Sequence, residues 1–534
     1  MNVMKKNILF SASRTLVMVI VCLFLFSGKS AGQNKKKSVT GKKAFVTTLT
    51  NFNKKGNQIT RFDAMGNAID AHDGEIAYFE GTYYLYGTSY DCGFAWQNKK
   101  APFCGFKTYA SKDMVNWTDM GFMFDAQTPV WQTRCNGNTY GCFRPHVIFN
   151  ATTKLYVLWI NVYDNRVGFR VFTSKTPVGP FTEVEVPSLA VNSDMPEAGL
   201  NNGDHDTFVD DDGTAYIAYT DWRTKGTIVI EKLNEEYLSG TGEHVKTVTA
   251  GKTEAPGLFK RNGIYYVTYS DPNCGYCAGT GTSYRTAKSP LGPWSEGINI
   301  SDKSCGGQPS FVSTIKLNAD TVFLYGSDLW NNAARNEALA NYYWAPLQFN
   351  EDESIKPMIC KDTIQVAIDH FVQEKQLLQK DLDQTSGDEG FITKCDITKD
   401  VQRVQTFTAS RSGILSKVSF TSFKNGDTDA GLQMELYNAD ATLRPTGFPL
   451  YATDFAAATI GWAPKNLIAQ PGIKVESGKH YTIVLKSSTS SGCYGFQYKD
   501  ADFKSGAVFR RTDNGSFEVE KDRILKFQTF VKKK

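Results

Sequence analysis

Five times between residues 79 and 328 the chain writes the same short sentence: a turn, then alternating aromatic and aliphatic residues. The five are "FEGTYYLYGTS" (79–89), "TKLYVLWINVY" (153–163), "DGTAYIAYTD" (212–221), "NGIYYVTYSD" (262–271) and "ADTVFLYGSD" (319–328). Each reads as a turn feeding a half-buried or buried strand. Three are followed by a second pattern, "YASKDMVNWTDMG", "VFTSKTPVGPFTE" and "RTAKSPLGPWSE", in which a strand runs through a Ser-Lys turn to an aromatic strand end. Small antiparallel units at a loose fixed period predict radial repetition. The expected architecture is all-β: a five-bladed β-propeller over residues 60–355, the inner strand of each blade lining a central axis. An ordinary β-sandwich does not account for the repeated pairing of hairpin and turn.

The remaining segments differ in kind. Residues 356–387 include the charged "HFVQEKQLLQKDLDQTSG" and read as a short helical or irregular linker. From residue 388 to 534 strand patterns return, among them "VQTFTAS", "LQMELYNA" and "HYTIVLKSS", and predict a jelly-roll-like β-sandwich accessory domain. In it Trp462, Tyr494 and Tyr498 are candidates for stacking on sugar rings, against the alternative that the sandwich only shields the propeller. Residues 33–59, rich in Lys, Asn, Gly and Thr, read as a flexible leader.

Residues 1–32 have the form of a signal peptide: Lys5, Lys6 and Arg14, the apolar run "TLVMVIVCLFLF", then small residues in "SGKSAG". The apolar run is too short to span a bilayer comfortably, so the mature chain is expected to be exported without a membrane span: periplasmic, cell-surface or secreted. Of 11 cysteines, Cys22 falls in this segment, leaving an even number for an oxidising compartment. Cys92 with Cys104 and Cys135 with Cys142 are expected to staple two loops. Cys274-x-x-Cys277 has no second pair to make a zinc site. Charge is near balance, 59 basic against 55 acidic side chains, with no basic stripe interleaved with aromatics, which argues against a nucleic-acid partner.

In a radial fold, residues at matching places in different repeats converge. Asp73 and Glu75 precede the first hairpin, Asp204 and Asp206 lie on the strand before the third, and Glu254 leads into the fourth. Glycosidic hydrolysis needs an acid to protonate the leaving oxygen and a base to activate water. A third carboxylate can hold the acid's proton on by like-charge repulsion. Any one of these acids could instead be a capping or solvated group, and "DDDG" (210–213) reads as a plain hairpin turn. His72 and His146 could be satisfied structural histidines as readily as substrate contacts.

Taken together, Asp73, Asp204, "TEAPGLFKRNGIYYVTYS" (253–270), "SPLGPW" (289–294) and "YYWAPLQF" (342–349) resemble glycoside hydrolase family 43. That resemblance implies a five-bladed propeller and inversion by single displacement. It implies Asp73 as general base, Glu254 as general acid and Asp204 as the group that tunes and orients the acid. His72, Glu75, Arg144, His146, Trp222 and Gln308 are the expected substrate-binding residues, with Trp131, Phe143 and Tyr276 as further stacking candidates. "NAIDAHDGEIAYFEGTYYLYG" and "RPHVIFNATTKLYVLWIN" are similar to a clade of exo-β-1,3-galactanases, arabinofuranosidases and galactofuranosidases. The galactanases typically carry glycines where this chain has Asp73 and Glu75, whereas Gln308 resembles a glutamine of their site. An exo-furanosidase acting on oligo- or polysaccharide is therefore the first expectation and a galactanase the second. A non-catalytic carbohydrate-binding propeller is the alternative of another class. No cofactor is required; such propellers have room for a central structural calcium, although no ligand set here compels one.

Overall fold

A computed structural model describes residues 45–94, 102–135, 141–162, 168–184, 186–190, 202–273, 279–318, 320–330, 336–369, 380–387, 390–512 and 515–533. The signal-peptide expectation, Tyr276, Cys274 and Cys277 lie outside them. The chain is all-β, with a few short helical turns.

Each of the five sequence repeats is a hairpin inside its own antiparallel sheet. The first sheet runs His72–Phe79, Thr82–Thr88, Phe106–Ser111, Trp117–Phe122. The second is Cys142–Asn150, Leu155–Val162, Phe169–Ser174, Thr182–Glu183, and the third Asn202–Val209, Ala215–Asp221, Thr227–Leu233, Gly240–Val245. The fourth is Glu254–Arg261, Ile264–Ser270, Thr282–Ala287, Ile298–Ser301, and the fifth Gln308–Lys316, Thr321–Leu329, Asn341–Pro346.

The aromatic alternation that marks the repeats is the packing between these sheets. Leu158 and Phe172 meet Phe106 and Tyr86 between the first and second; Trp159 and Val171 meet Ile217 and Tyr219 between the second and third. Ile230 meets Val267, Tyr266 meets Tyr325, and Leu324 meets Leu85, so every neighbouring pair of sheets shares an apolar seam, the fifth with the first included. The opening strands also touch in sequence around the same circuit, Gln308–Lys316 returning to His72–Phe79. Strands buried on both faces need the continuous apolar runs seen here.

At the start of all five opening strands the register slips. The slip lies between His72 and Glu75, Phe143 and His146, Asn202 and His205, Glu254 and Gly257, and Pro309 and Phe311. A β-bulge bends its strand and re-aims a side chain. Three of the five hold a proline (Pro145, Pro256, Pro309), which a sheet interior tolerates only at such places. Gly74 sits in the first because a Cβ there would lie 2.1 Å from the Tyr86 carbonyl oxygen.

Parts of the stretches read as leader and linker form strands. Phe45–Thr50 pairs antiparallel with Thr363–Ile368, from Phe45 opposite Ile368 to Thr50 opposite Thr363. "TIQVAI" has strand alternation, with Val366 and Ile368 buried, but it is short and stands beside a charged run that masks it. Leu382–Thr385 joins the C-terminal region, where an eight-stranded and a six-stranded sheet enclose a single core that includes Leu415, Phe420, Met434, Ile483 and Phe496. Tyr494 and Tyr498 are buried there. Trp462 packs against the core between the first two sheets and crowds Gly93. None of the three is a free stacking platform, because each ring is spent on packing.

The disulfides Cys92–Cys104 and Cys135–Cys142 form as expected; Cys305–Cys360 and Cys395–Cys493 add two longer closures.

Candidate active site

Asp73, Arg144, Asp204 and Ser310 lie within four of the five bulges, and Glu254 is the paired residue that opens the fourth, opposite Ser270. Asp73 and Arg144 take left-handed backbone, φ 57° and 56°, and Ala255, next to Glu254, takes 55°. Such φ values are rare outside glycine and mark a backbone held by its surroundings.

The restraint on Asp73 is visible. Its N–H donates to Asp328 Oδ2 at 3.0 Å, while its Oδ1 accepts from Thr88 Oγ1 at 2.7 Å and from the Arg144 N–H at 3.2 Å. Tyr90 Oη donates to the other oxygen at 3.0 Å. Burial is the main force on this carboxyl and lifts it to about 7, against the pull of the Arg144 charge and the Thr88 hydrogen bond.

Arg144 joins Asp73 to Asp204. Its backbone holds the first, and its guanidinium donates to Asp204 Oδ2 at 2.7 Å and to the carbonyls of Pro309 and Ser310 at 3.2 and 3.3 Å. The guanidinium is buried, and although burial disfavours its charge, Asp204 and Asp73 hold the proton on more firmly than usual.

Glu254 is half-buried. Desolvation first, then the Asp204 charge, pushes its carboxyl up to about 8; Arg144 and the Asn273 and Gln308 side chains oppose this. Gln308 Nε2 donates to Glu254 Oε1 at 2.8 Å, and Trp330 Nε1 donates to Gln308 Oε1 at 3.1 Å. Ser270, cross-strand from Glu254, bonds both its N–H and its carbonyl at 3.0 Å. Two carboxyls, one protonated through neutrality and one poised near it, thus share a neighbourhood with an arginine-bound third.

The chain matches Glycosyl hydrolases family 43 over residues 49–346, more than half its length. It belongs to that family. Over 231 residues it is 29% identical to a beta-D-galactofuranosidase of Aspergillus niger, covering 42% of this chain and 62% of that protein. Over 300 residues it is 27% identical to an arabinoxylan arabinofuranohydrolase of Bacillus subtilis, covering 48% of this chain and 54% of that one. The chain therefore spans less than two thirds of the length of these relatives. Among solved structures, an exo-beta-1,3-galactanase from Clostridium thermocellum aligns with a TM-score of 0.51 at 19% identity, covering 91% of this chain and 97% of that one, which is a likeness of fold.

Behind Asp73, Asp204 and Glu254 lies a second layer. His72, stacked on Tyr342, stands 3.5 Å from Asp70 and 3.4 Å from Asp328. Burial opposes a charged ring, yet the Asp328 and Asp70 carboxylates prevail and lift His72 to about 9. His146 stands 3.0 Å from Asp206 and 3.7 Å from Glu75, with burial again outweighed by Glu75 and Asp206. Both histidines are fully buried, as are Glu75 and Arg144 to within a few per cent, so all four face protein groups. Trp222 is half-exposed beside Gly203, next to Asp204, and Gln308 is half-buried against Glu254. Trp131 and Phe143 pack with Phe103 and Phe94 in the first seam.

Glu75, His146 and Asp206 offer donor atoms within 4.8 Å of one another. They do not fit calcium, which takes six to eight oxygens. One donor is an imidazole, and the remaining oxygens of Glu75 and Asp206 already accept the Val147 and Leu258 N–H groups at 2.6 Å. The two carboxylates favour the charged form of the His146 ring instead.

Asp70, Tyr90, Asp328 and Trp330 were not singled out from sequence. Asp328 did carry a signal: it ends the fifth repeat, "YGSD", where the first repeat places "YGTS" and the fourth "TYSD". Hydroxyls and carboxylates at that strand end face the opening strand of the same sheet.

Proposed function

We propose that this chain is an exo-acting, inverting glycoside hydrolase that removes terminal furanose residues, α-L-arabinofuranose or β-D-galactofuranose, from polysaccharide side chains. Its carrier is a five-bladed β-propeller over residues 60–355 with a C-terminal β-sandwich from 388, and the basic and apolar N-terminal residues export it. The observation that carries the reading is two carboxyls joined through Arg144 and Asp204 and both raised by desolvation, the half-buried Glu254 to about 8 and the buried Asp73 to about 7. Near neutrality the first holds its proton while the second is substantially ionised, which is the division of labour inversion requires.

Asp73 takes a proton from a water as the water's oxygen bonds to the anomeric carbon. The glycosidic bond breaks as Glu254 delivers its proton to the leaving oxygen. Asp204 keeps that proton on Glu254 through its negative charge, and Arg144 fixes Asp204 and the Asp73 backbone together. His72, Glu75 and His146 act as supports, while Trp222 and Gln308 face the substrate. The galactofuranosidase and arabinofuranohydrolase relatives support a furanose; the Asp73 carboxylate supports a base-assisted mechanism.

Gln308 on Glu254 favours a second reading, an exo-β-1,3-galactanase acting on arabinogalactan. The test is a panel of 4-nitrophenyl α-L-arabinofuranoside, β-D-galactofuranoside and β-D-galactopyranoside beside β-1,3-galactan. Turnover of a furanoside is expected. Galactose released from β-1,3-galactan alone would establish the second reading, and release from none would leave a non-catalytic glycan binder.

A further inference from the structure

A cavity of about 1090 Å³ lies away from these carboxylates, between the outer face of the eight-stranded sheet and the flank formed by residues 48–66 and 114–116. That volume is at the upper end for small-molecule sites. Its walls are fixed to each other: the Asn466 N–H donates to Asn67 Oδ1 at 3.0 Å, and the Asn466 side-chain amide donates to the Met65 carbonyl at 2.9 Å. The Ala68 N–H reaches the Pro464 carbonyl at 2.8 Å, and the Lys465 ammonium reaches Asp91 at 2.6 Å.

The lining has a sign. Arg61, Lys380, Lys417, Lys526 and Lys532 face two acids, Asp63 and Asp381. Asp63 is occupied by its own turn, accepting the Met65 and Asn67 N–H groups at 2.8 and 2.9 Å. Among the described residues neither Lys417 nor Lys532 is paired with a carboxylate; Lys417 lies 3.6 Å over the Phe530 ring. Arg61 has only neutral hydrogen-bond partners, the Tyr342 carbonyl and the Asn51 side chain, and burial lowers its guanidinium to about 10. Buried positive charge without an acid is costly, and an anion entering the cavity would offset it.

The floor is a grid of hydrogen-bonding side chains. Ser419 stands opposite Gln528 on one side and Ile468 on the other, and Thr421 opposite Asn466. Successive strands are about 4.8 Å apart, so these groups repeat at the spacing of hydroxyls along a short sugar chain.

We infer that this groove is a second, non-catalytic binding site for a uronate-bearing oligosaccharide, its carboxylates meeting Lys417 and Lys532 and its hydroxyls the Ser419–Thr421–Gln528 floor. The choice of a glycan rests on the glycosidase reading; the choice of an anion does not. The chain's own leader cannot be the occupant, since Lys35, Lys36, Lys37, Lys42 and Lys43 give it the same sign as the groove.

The test is calorimetry on the full chain at low salt with trigalacturonate, maltotriose as the neutral counterpart and inorganic phosphate as the simple anion. Trigalacturonate should bind and maltotriose should not. The pair Lys417→Gln and Lys532→Gln should weaken binding by roughly tenfold, a half-buried and an exposed charge contact at once, with furanoside turnover unchanged. Lys532→Glu alone, at an exposed position, should weaken it in the same direction. The inference is overturned by no trigalacturonate binding, by equal maltotriose binding, by variants that bind as wild type does, or by phosphate competing at equal concentration. Because trigalacturonate offers neither a terminal furanose nor a β-1,3-galactosyl linkage, its binding is read independently of turnover: trigalacturonate binding in a chain that releases sugar from no furanoside or galactan would fault the glycosidase reading and leave this one standing.

Discussion

The five-sheet region and the two sheets after residue 382 are made from the same material, antiparallel strands of alternating pattern, yet they treat charge in opposite ways. In the first, five sheets meet along five apolar seams, and the bulge near the start of each opening strand holds or adjoins Asp73, Arg144, Asp204, Glu254 or Ser310. Asp73 and Glu254 are desolvated there and pushed up. In the second, an apolar core lies between two sheets. Its buried Arg403 is matched by Asp396 and by Glu520 at 2.6 Å, and Glu520, despite desolvation, is held below its ordinary value by Arg403, Lys394 and Arg523. Repetition around a circuit collects like charges that cost stability and can do chemistry. A two-sheet core pairs its charges, and they stabilise.

The largest expected effect tests the first half of that contrast. Glu254→Gln should lower turnover of natural linkages by about 10²–10⁴-fold, the usual contribution of general acid assistance, and much less with a good leaving group. Asp73→Asn should fail on both kinds of substrate, because water must be activated either way. Steady-state kinetics on a polysaccharide and on an aryl furanoside separates the two; equal, mild losses would remove both assignments.

The converse belongs to the C-terminal region. Arg403→Leu leaves Asp396 and Glu520 without their buried partner and should destabilise by about 3 kcal/mol, read as a lower urea midpoint. Turnover per folded molecule should not change. A matching loss of turnover would mean that the two regions are not separable in this way.

How much of this was legible beforehand follows the same division. The hairpins could be read because an aromatic period of two is local, and the three acids could be singled out because each stands near the start of its repeat, although their registers differ: Asp73 and Asp204 fall inside bulges and Glu254 just before one. The bulges could have been read: Pro145, Pro256 and Pro309 interrupt otherwise continuous strand patterns. Asp70 and Trp330 could not, because their partners His72 and Gln308 are chosen by the closing of the circuit rather than by spacing. The same holds for Cys305–Cys360 and Cys395–Cys493, 55 and 98 residues apart, beside the short loops closed by Cys92–Cys104 and Cys135–Cys142. Trp462 looked like a surface aromatic because its loop is polar; the surface it covers belongs to the other region.

A smaller effect sharpens the account of the carboxyls. The profile of kcat/KM against pH should be a narrow bell, its acid limb near 7 where Asp73 gains a proton and its alkaline limb near 8 where Glu254 loses one. Arg144 pulls both values down, so Arg144→Gln should move both limbs to higher pH. Limbs near the ordinary carboxylate range would show that the carboxyls are not desolvated as described.

The smallest effect sets the two regions against each other within one measurement, thermal stability as a function of pH. Glu254 holds its proton to about 8 in the folded chain and gives it up near 4.5 once unfolded. Its contribution is therefore complete below the unfolded value and is lost as pH rises through the folded one. Glutamine keeps the Oε1 that accepts from Gln308 but has no proton to lose. Glu254→Gln should match wild type at pH 4 and melt at least roughly 2–4 °C higher at pH 9. Glu520 has the opposite sign: held low in the folded chain, it stabilises above the unfolded value and loses that contribution as pH falls. Glu520→Gln should melt lower than wild type at pH 7 and converge with it at pH 3. Curves of the same slope for both variants would erase the distinction between charges gathered for chemistry and charges paired for stability.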